Sequence, residues 1–344
     1  MGVKFNNLIK KNEFKIDQLN NKIVVIDTYN ILYQFLTTIR QQDGSPLVDS
    51  NNNITSHLVG LFSRTVNLLE KNIKLVYVFD GKPPLLKQKE QERRKELKIN
   101  AQKQYDQAKQ IEDISLMNKF AKRTSRLTKE MVDEAKELIL AFGLPIVQAP
   151  SEGEAQAAHM VKKNDAYAVV SQDYDALLFE SPKIIRNLSI TKKKKIANSP
   201  AYKSIDIELV NLSENLNFLG IDINQLIVIA MLTGTDYNYG GIKGIGPKKA
   251  LILVKKHKNN FDELFKEIKW DEHFKFSWQD VFYAFKKTKV TDDYSLDFKE
   301  INYDKIIEIM CKNHDSSFDR INSQLEKLKK FNNKNQKSLD SFFT

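Results

Sequence analysis

Residues 74–81 read KLVYVFDG, a lysine followed by five apolar or aromatic residues, an aspartate and a glycine. A continuous apolar run of this length is typical of a β-strand that is buried on both faces, as in a parallel sheet. Two further runs have the same form and also end in an acid, KIVVID at 22–27 and AYAVVSQD at 166–173. Helical patterns at 54–71 and 128–142 separate them. This alternation predicts an α/β fold with a mostly parallel central sheet flanked by helices.

The composition excludes several classes of protein. Of the 344 residues, 41% are hydrophobic, which is enough for a folded core and argues against a disordered chain. Cys311 is the single cysteine, so a disulfide framework and a thiolate zinc site are excluded, and the five histidines show no metal-ligand spacing. The chain has no run of about 18 apolar residues and no apolar leader, so we expect neither a membrane span nor secretion.

Basic residues are concentrated in three stretches of the chain. The formal net charge is +10, from 54 basic and 44 acidic residues. Residues 82–130 carry a local charge of +7, and residues 183–203 hold seven basic residues without an acid. Residues 240–260 hold six lysines without an acid. Such stretches suit a long phosphate backbone better than a small metabolite, although any one of them can also be a solvated surface.

Acidic residues occur where the predicted strands end and in the adjacent turns. The seven candidates are Asp27, Asp80, Glu152, Glu154, Asp173, Asp175 and Asp236. Because ligands of α/β folds bind outside the carboxyl ends of the strands, we expect these side chains to converge there. So many like charges require cations, and oxygen-only ligands favour hard ions such as Mg²⁺ or Mn²⁺. Two such ions can support an in-line displacement at phosphorus.

Each acid taken alone also has a simpler interpretation. Ser151 and Glu154 have the spacing of a helix capping box. Asp80 can belong to an ordinary turn, and Asp27 and Asp173 can cap helices. The convergence of all seven at the strand ends is what favours the metal site.

A glycine-rich stretch, GGIKGIGPKKA at 240–250, lies between helical patterns at 226–232 and 248–256. Its glycine spacing resembles that of a nucleotide-binding loop, but Pro247 stands where that loop needs a lysine, and a helix rather than a strand precedes it. A glycine turn between helices exposes backbone amides that can bind phosphate. The alternative is a plain turn between two helices with exposed lysines.

Residues 85–127 contain strong helix formers and few apolar residues. A long helix of this composition cannot bury much surface on the core. We therefore expect projecting, mobile helices with a basic face in this segment.

Five stretches, in order along the chain, resemble the signature motifs of the flap endonuclease family of archaeal type, within the structure-specific 5′ nucleases. They are VYVFDGKPP (76–84), APSEGEAQAA (149–158), SQDYD (171–175), TGTDYN (233–238) and GIKGIG (241–246). The resemblance extends over residues 2–343. It implies a PIN-like 5′ nuclease core, a helical arch and a helix–two-turn–helix DNA-binding motif.

The resemblance also implies a division of the chain and a set of site residues. The nuclease region spans 1–98 and 116–258, the arch begins near 85 and continues through 99–115, a helical region spans 259–335, and a clamp-binding tail spans 336–344. One Mg²⁺, for which Mn²⁺ can substitute, is assigned to Asp27, Asp80, Glu152 and Glu154, and a second to Asp173, Asp175 and Asp236. Lys87 and Arg94 are the implied catalytic contacts to the scissile phosphate.

Further residues are implied for DNA and for a protein partner. The implied DNA contacts are Tyr33, Arg40, Arg64, Gly241, Lys243, Gly244, Gly246, Lys248 and Lys249. A potassium ion is expected at the helical hairpin that these glycines form. The tail resembles a box that binds the sliding clamp PCNA through Gln336, Leu339, Phe342 and Phe343.

The implied function is that of a monomeric 5′ flap endonuclease with 5′–3′ exonuclease activity. It would cleave branched DNA in Okazaki fragment maturation and long-patch base excision repair, in the cytoplasm of an archaeal-type cell or in the nucleus of a eukaryotic one. One alternative is a related 5′ nuclease that acts on bubbles or nicks. Another is a non-catalytic, clamp-bound protein that bends DNA, which would lack some of the seven acids.

Overall fold

A computed structural model describes residues 3, 5, 8–188, 193–195, 202–204 and 206–340 of the chain. The strands are β1 (Asn12–Phe14), β2 (Ile23–Asp27), β3 (Lys74–Phe79), β4 (Ile146–Gln148), β5 (Ala168–Val170), β6 (Lys183–Arg186), β7 (Lys193–Lys195), β8 (Tyr202–Ser204) and β9 (Ile207–Asn211). Seven of them form one sheet in the order β1-β9-β6-β5-β2-β3-β4, and β7 pairs with β8. The three predicted strands are therefore confirmed, and each is shorter than the stretch quoted for it.

The helices connect and cover these strands. They are α1 (Thr28–Thr38), α2 (Ser56–Leu69), α3 (Gln88–Gln110), α4 (Ile114–Thr124), α5 (Lys129–Ala141), α6 (Gly153–Lys162), α7 (Asp175–Leu178), α8 (Leu212–Leu219), α9 (Ile223–Thr233), α10 (Pro247–His257), α11 (Phe261–Glu267), α12 (Trp270–His273), α13 (Trp278–Lys286), α14 (Tyr303–Ile307) and α15 (Phe318–Asp340). The predicted helices at 54–71, 128–142, 226–232 and 248–256 correspond to α2, α5, α9 and α10.

Five consecutive strands of the sheet, from β6 to the edge strand β4, are parallel. β6, β5, β2, β3 and β4 run in the same direction, whereas β9 is antiparallel to β6 and β1 is antiparallel to β9. Val25 of β2 lies between Val76 of β3 and Val169 of β5. Because parallel strands share their direction, the carboxyl ends of β2, β3, β4 and β5 meet at one edge of the sheet.

The core has two layers, one on each face of the sheet. Successive side chains of a strand point to opposite faces, so Val24 and Ile26 join one apolar cluster while Val25 joins the other. The first cluster includes buried residues of α1, α2 and α5, and the second includes those of α6 and α9. Both faces of the sheet are thus covered, which is why its strands read as continuous apolar runs.

Helices α3 and α4 pack chiefly on each other. The 23 residues of α3 bury just three side chains, those of Glu90, Ala101 and Ala108. This agrees with the expectation that the segment contributes little to the core. The predicted boundary at residue 98 falls within α3, so a single helix continues across it.

Among the described residues, no single helix has the length and apolar character needed to cross a membrane. By length and composition alone, α8 and α9 together could do so, as a pair bent by 81°.

Candidate active site

The carboxyl edge of the sheet carries the first group of acids. Asp27 is the last residue of β2, and Asp173 follows the end of the neighbouring strand β5. Asp27 also caps α1, because its Oδ1 accepts a hydrogen bond from the Asn30 amide at 3.2 Å. The Asn30 side chain donates to Asp173 Oδ2 at 2.9 Å. Asp27 therefore both caps α1 and lies at the acidic edge of the sheet. Asn30 connects Asp27 to Asp173 through its two hydrogen bonds.

Asp80 and Glu152 lie at the start of α6. Asp80 Oδ1 accepts from the backbone amide of Gly153, the first residue of that helix, at 2.6 Å. A Cβ on Gly153 would lie 2.6 Å from the same oxygen, so glycine permits this close approach. Glu152 occupies the N-cap position but makes no capping bond among the described residues. The capping-box interpretation of Ser151 and Glu154 is therefore wrong, and the Glu152 carboxylate is left for other contacts.

The other acids lie on α6, at the start of α7 and in the loop after α9. Ser171 Oγ lies 3.2 Å from Glu154 Oε1 and donates to it. Asp175 Oδ1 accepts from the backbone amide of Val3 at 2.7 Å. Asp236 lies in the loop that follows α9. Segments far apart in the sequence thus bring these acids to one region.

Two cations from the start of α3 face these carboxylates. Lys87 Nζ lies 2.7 Å from Glu152 Oε2 and 3.5 Å from Asp236 Oδ2. Arg94 Nη2 donates to Asp236 Oδ1. Although burial opposes the charge of Lys87, the carboxylates of Glu152 and Asp236 outweigh burial and raise its pKa. Lys87 therefore carries a positive charge at neutral pH.

Burial and neighbouring negative charge raise the pKa values of Asp27, Glu154 and Asp175. Burial and the charge of Asp80 raise the pKa of Asp27 to about 8. Burial and the charge of Asp173 raise the pKa of Asp175 to about 7. Burial, followed by the charge of Asp175, raises the pKa of Glu154 well above its usual value. These shifts have the physical origin expected of like charges that are shielded from water.

The donor set fits a hard divalent cation. The seven acids offer carboxylate oxygens, and Oε1 of Glu152 is buried without a hydrogen-bond partner among the described residues. Among the described residues, no group of three or more Asp, Glu, His or Cys side chains is arranged so that it could hold a metal ion. Lys87 instead lies between Glu152 and Asp236. A metal and these cationic side chains would therefore compete for the same oxygens.

Comparisons with known proteins identify the family. Residues 1–101 match the XPG N-terminal domain, and residues 143–236 match the XPG I-region. Flap endonuclease 1 of Thermofilum pendens is 46% identical over 347 residues, an alignment that covers 100% of this chain and 99% of that protein. The chain belongs to the flap endonuclease family. Flap endonuclease 1 of Pyrococcus abyssi is 47% identical and is covered to 98%.

Solved structures agree with this family membership. The flap endonuclease-1 structure from Methanococcus jannaschii has a TM-score of 0.75 and 42% identity, and the match covers 96% of this chain and 98% of that one. The catalytic core of Rad2 in complex with a DNA substrate is 23% identical with a TM-score of 0.64, covering 92% of this chain and 95% of that one, and shows likeness of fold. The predicted 5′ nuclease fold is therefore confirmed. Flap endonucleases are metal-dependent nucleases, in keeping with the acidic edge of the sheet.

The three side chains expected near the flap junction have different environments. Tyr33 is half-buried, and Lys98 Nζ of α3 lies 4.8 Å from the centre of its ring. Arg40 Nη1 donates to the Gly44 carbonyl at 2.7 Å. Arg64 is buried, and its guanidinium donates to the Leu188 carbonyl. As folded, Arg64 supports the interior rather than presenting a cation to DNA, so the DNA contact expected for it has no support here.

The glycine stretch forms a turn before α10, as predicted. Gly244 has a φ of +82°, a conformation that favours glycine, and Gly246 is the N-cap of α10. The side chains of Lys243, Lys248 and Lys249 are exposed. The turn thus presents both a helix N-terminus and three lysines to solvent.

Gly241 joins this turn to the loop that carries Asp236. A Cβ on Gly241 would lie 2.5 Å from the backbone nitrogen of Gly234 and from the carbonyl oxygen of Leu232, and its φ is +58°. The backbone of the turn therefore packs directly on the end of α9. This contact connects the expected DNA-binding turn to the acidic site.

The expected clamp-binding residues are only partly covered by the structure. The backbone at Gln336 and Leu339 is helical, as part of α15. Phe342 and Phe343 lie outside the described residues. The predicted boundary at residue 335 falls within α15.

Sequence reasoning missed the side chains that hold the acids in place. Asn30 and Ser171 each lie within three residues of an acid, and that spacing is a usable signal. Arg186 has no such signal, yet its Nε donates to the Gln172 carbonyl at 3.0 Å and its Nη1 to the Tyr174 hydroxyl at 2.6 Å. Its contacts join a strand to a loop, and only the folded sheet brings these together.

Proposed function

We propose that this protein is a structure-specific 5′ flap endonuclease, a hydrolase that cleaves DNA at the junction of a 5′ flap and also has 5′–3′ exonuclease activity. The observation that supports the proposal is the set of mutually interacting carboxylates near the carboxyl edge of the sheet, which face Lys87 and Arg94. Full-length similarity to flap endonucleases supports this reaction rather than another use of the same fold. We place the activity in DNA replication and repair, including Okazaki fragment maturation and long-patch base excision repair.

We assign two Mg²⁺ ions to the acidic edge, with Mn²⁺ as a substitute. The first would be held by Asp27, Asp80, Glu152 and Glu154. The second would be held by Asp173, Asp175 and Asp236. When bound, the pair supplies activated water and charge stabilisation for an in-line displacement at phosphorus.

The chain's own cations would act on the scissile phosphate. Lys87 and Arg94 stand directly beside the carboxylates, so a phosphate bound there would lie within their reach. Lys87 supplies a mobile point charge, and Arg94 supplies a planar fork that can donate two hydrogen bonds. Both would stabilise the negative charge that develops on the phosphate oxygens.

Branched DNA would contact the protein on either side of this site. The turn at 240–246 and the start of α10 would bind the backbone of the downstream duplex through exposed amides, Lys243, Lys248 and Lys249. We also assign a K⁺ ion to this turn. Tyr33 would stack on a base next to the site once Lys98 leaves its ring, and Arg40 would lie near the junction.

The test uses a labelled double-flap DNA with Mg²⁺ and maps the product ends. Wild-type protein should cleave at the 5′-flap junction, and Asp173→Ala should lower the rate about 100-fold or more while binding persists. Asp297→Ala is the matched control. It removes an exposed carboxylate beside Phe298, which lies with Lys74 at the opposite end of β3, and should cleave like wild type.

Other outcomes lead to the alternatives. Binding by the wild type without cleavage, under both Mg²⁺ and Mn²⁺, would leave a non-catalytic protein that bends DNA. Cleavage that does not depend on the flap would keep the chemistry but favour a 5′ nuclease acting on bubbles or nicks.

We further propose that the tail binds the sliding clamp PCNA. Gln336, Leu339, Phe342 and Phe343 have the spacing of a clamp-binding box, in which a short segment fills an apolar pocket of the partner. Replacing both phenylalanines with alanine should abolish binding to an archaeal PCNA, measured by surface plasmon resonance. Flap cleavage in the absence of PCNA should be unchanged. Retained clamp binding would contradict this assignment.

We also propose that the protein acts as a monomer in the cytoplasm of an archaeal-type cell. Sedimentation equilibrium at micromolar concentration tests the first statement, because a dimer would give twice the mass of 39.8 kDa.

A further inference from the structure

The first turns of α3 contain a buried carboxylate that binds two arginines. Glu90 is 4% exposed. Its carboxylate accepts from Arg93 Nε and Nη2 at 2.7 and 2.8 Å, and from Arg94 Nε at 2.7 Å. Arg94 also donates to Asp236, so it is held between two carboxylates, one from its own helix and one from the loop after α9. Glu90 therefore orients the side chain that we place at the scissile phosphate.

The second arginine joins α3 to the same loop. The guanidinium of Arg93 lies over the ring of Tyr239, with its carbon 3.7 Å from the ring centre. Tyr239 is 55% exposed, so its ring is held by the contact with Arg93 and not by burial in the core. A planar guanidinium on an aromatic face combines cation–π attraction with close packing.

Tyr239 occupies a well-anchored position. It lies three residues after Asp236 and immediately before Gly240 and Gly241. Gly241 packs on the backbone of Gly234 at the end of α9, which is buried in the core. The loop after α9 is therefore packed against the core. Helix α3, in contrast, buries few side chains of its own.

We propose that Glu90, Arg93 and Tyr239 form a latch that holds the base of α3 on the loop after α9 and thereby positions Arg94 for catalysis. None of the three has to touch the substrate, so they are positioning residues. Glu90 keeps both guanidinium groups in place, and Tyr239 provides the surface on which α3 is fastened. The statement that the latch positions Arg94 for catalysis rests on the proposed function. The statement that the latch holds α3 on the loop does not.

The experiment compares Tyr239→Leu with the conservative variant Tyr239→Phe. Tyr283→Leu is the matched control, because it removes another half-exposed tyrosine that pairs with a lysine, at 4.3 Å from Lys287. Amide hydrogen exchange of residues 88–98 is measured in the DNA-free protein. Binding of a 5′-flap DNA is measured by fluorescence anisotropy, and cleavage is measured in single turnover at saturating enzyme.

Tyr239→Leu should raise exchange in α3 and lower the single-turnover rate by roughly 2- to 5-fold, the change expected for loss of one exposed cation–π contact. The dissociation constant of the DNA should stay within twofold of wild type. Tyr239→Phe should restore both readouts, and Tyr283→Leu should match wild type. Glu90→Gln should have a larger effect on the rate, roughly 10-fold or more, because charged hydrogen bonds to two arginines are weakened.

Two results would overturn the proposal. Unchanged exchange of α3 in Tyr239→Leu would show that the ring does not fasten the helix. Raised exchange with an unchanged cleavage rate would show that the contact does not position Arg94. If the wild type failed to cleave flap DNA, the proposed function would fall, and the exchange measurement would still decide whether the latch exists.

Discussion

The charge state and the contacts of Lys87 and Arg94 are set by the carboxylates around them. By sequence alone each is one charge on a basic helical segment. In the fold, Lys87 bridges Glu152 and Asp236, and those two acids raise its pKa despite burial. A cation held in this way already lies at the site, and it would exchange these carboxylate oxygens for phosphate oxygens when metal and DNA bind.

The first prediction concerns this cation. Lys87→Met should lower the single-turnover rate of flap cleavage about 100-fold, because a positive charge beside the scissile phosphate is lost. The dissociation constant of the DNA should change less than threefold, since other lysines supply most of the backbone attraction. Quench-flow kinetics and anisotropy separate the two quantities. A large loss of affinity with an unchanged rate would assign Lys87 to binding.

Arg186 is the residue that holds the loop between Asp173 and Asp175. Its guanidinium bonds to the Gln172 carbonyl and the Tyr174 hydroxyl and lies 4.2 Å from the centre of the Tyr174 ring. Lysine cannot reproduce this planar set of contacts. Arg186 therefore supports two proposed metal ligands from outside their own loop.

The second prediction follows from that support. Arg186→Lys should weaken Mg²⁺ binding by about 10-fold, the effect typical of losing a contact that orients metal ligands. The midpoint of Mg²⁺-induced thermal stabilisation measures this without relying on activity. Arg126→Lys, at an exposed position, is the control. Equal Mg²⁺ midpoints for wild type and Arg186→Lys would contradict the supporting role.

At the scale of elements, the carboxyl edge of the sheet concentrates negative charge. Four neighbouring parallel strands end there, and α6 and α7 begin there, so short connections carry the acids. Burial and mutual repulsion raise the pKa of Asp27 to about 8 and that of Asp175 to about 7. In the unfolded chain both groups return to ordinary aspartate values near 4.

The third prediction is the pH dependence that results. Between pH 4 and pH 8 the metal-free folded state binds protons at Asp27 and Asp175 that the unfolded state has released. Stability should therefore be greatest at the acidic end of this range and fall as the pH rises towards 8. Mg²⁺ should raise the melting temperature more at pH 8 than at pH 5, because it replaces those protons.

Calorimetry in EDTA and in Mg²⁺, at four pH values, measures both effects. Asp27→Asn should show a shallower loss of stability with rising pH, since one of the two groups no longer titrates. A melting temperature in EDTA that rises from pH 5 to pH 8 would contradict the assignment of raised pKa values.

At the scale of the whole molecule, charge is separated into an acidic site and basic surroundings. The turn before α10 exposes three lysines beside a helix N-terminus, and α3 adds further cations. The net charge of +10 is therefore a poor description of either region. A polyanion would be attracted to the basic surfaces, and the metal ions proposed above would then let a phosphate approach the acidic edge.

The fourth prediction concerns the turn before α10. Replacing Lys243, Lys248 and Lys249 together with alanine should weaken binding of duplex DNA. It should also make the dependence of log K on log salt concentration shallower by about 2 to 3, because each phosphate contact contributes roughly 0.9. Anisotropy titrations between 50 and 300 mM KCl measure the slope.

The control removes three exposed lysines elsewhere, at Lys275, Lys289 and Lys299. That variant has the same net charge but should keep the wild-type slope within about 1. Equal slopes for the two triple variants would show that the duplex does not bind at the turn.

The positions of strands and helices expected from the sequence agreed with the structure, whereas the expected environments of Ser151 and Arg64 did not. Apolar runs and helical periodicity gave the positions of β2, β3, β5, α2 and α5, because both patterns are local. The capping box at Ser151 was wrong because Glu152 takes the N-cap position. Arg64 was assigned to DNA by resemblance, but the fold buries it. The first difference is a shift of one residue in the start of α6, whereas the second depends on a contact between Arg64 and Leu188, 124 residues apart.

The sequence by itself determined the class of fold and the position of Asp27, Asp80 and Asp173 at or just after the ends of strands. It did so because strand direction and alternation follow from the order of apolar and polar residues along the chain. Only the tertiary structure decided which partner each cation meets, as in the ion pair of Lys87 with Glu152 and the cation–π contact of Arg93 with Tyr239. Such pairs are 65 and 146 residues apart. Their contact depends on the order of strands in the sheet and on how the start of α3 packs against α6 and the loop after α9, which no local pattern encodes.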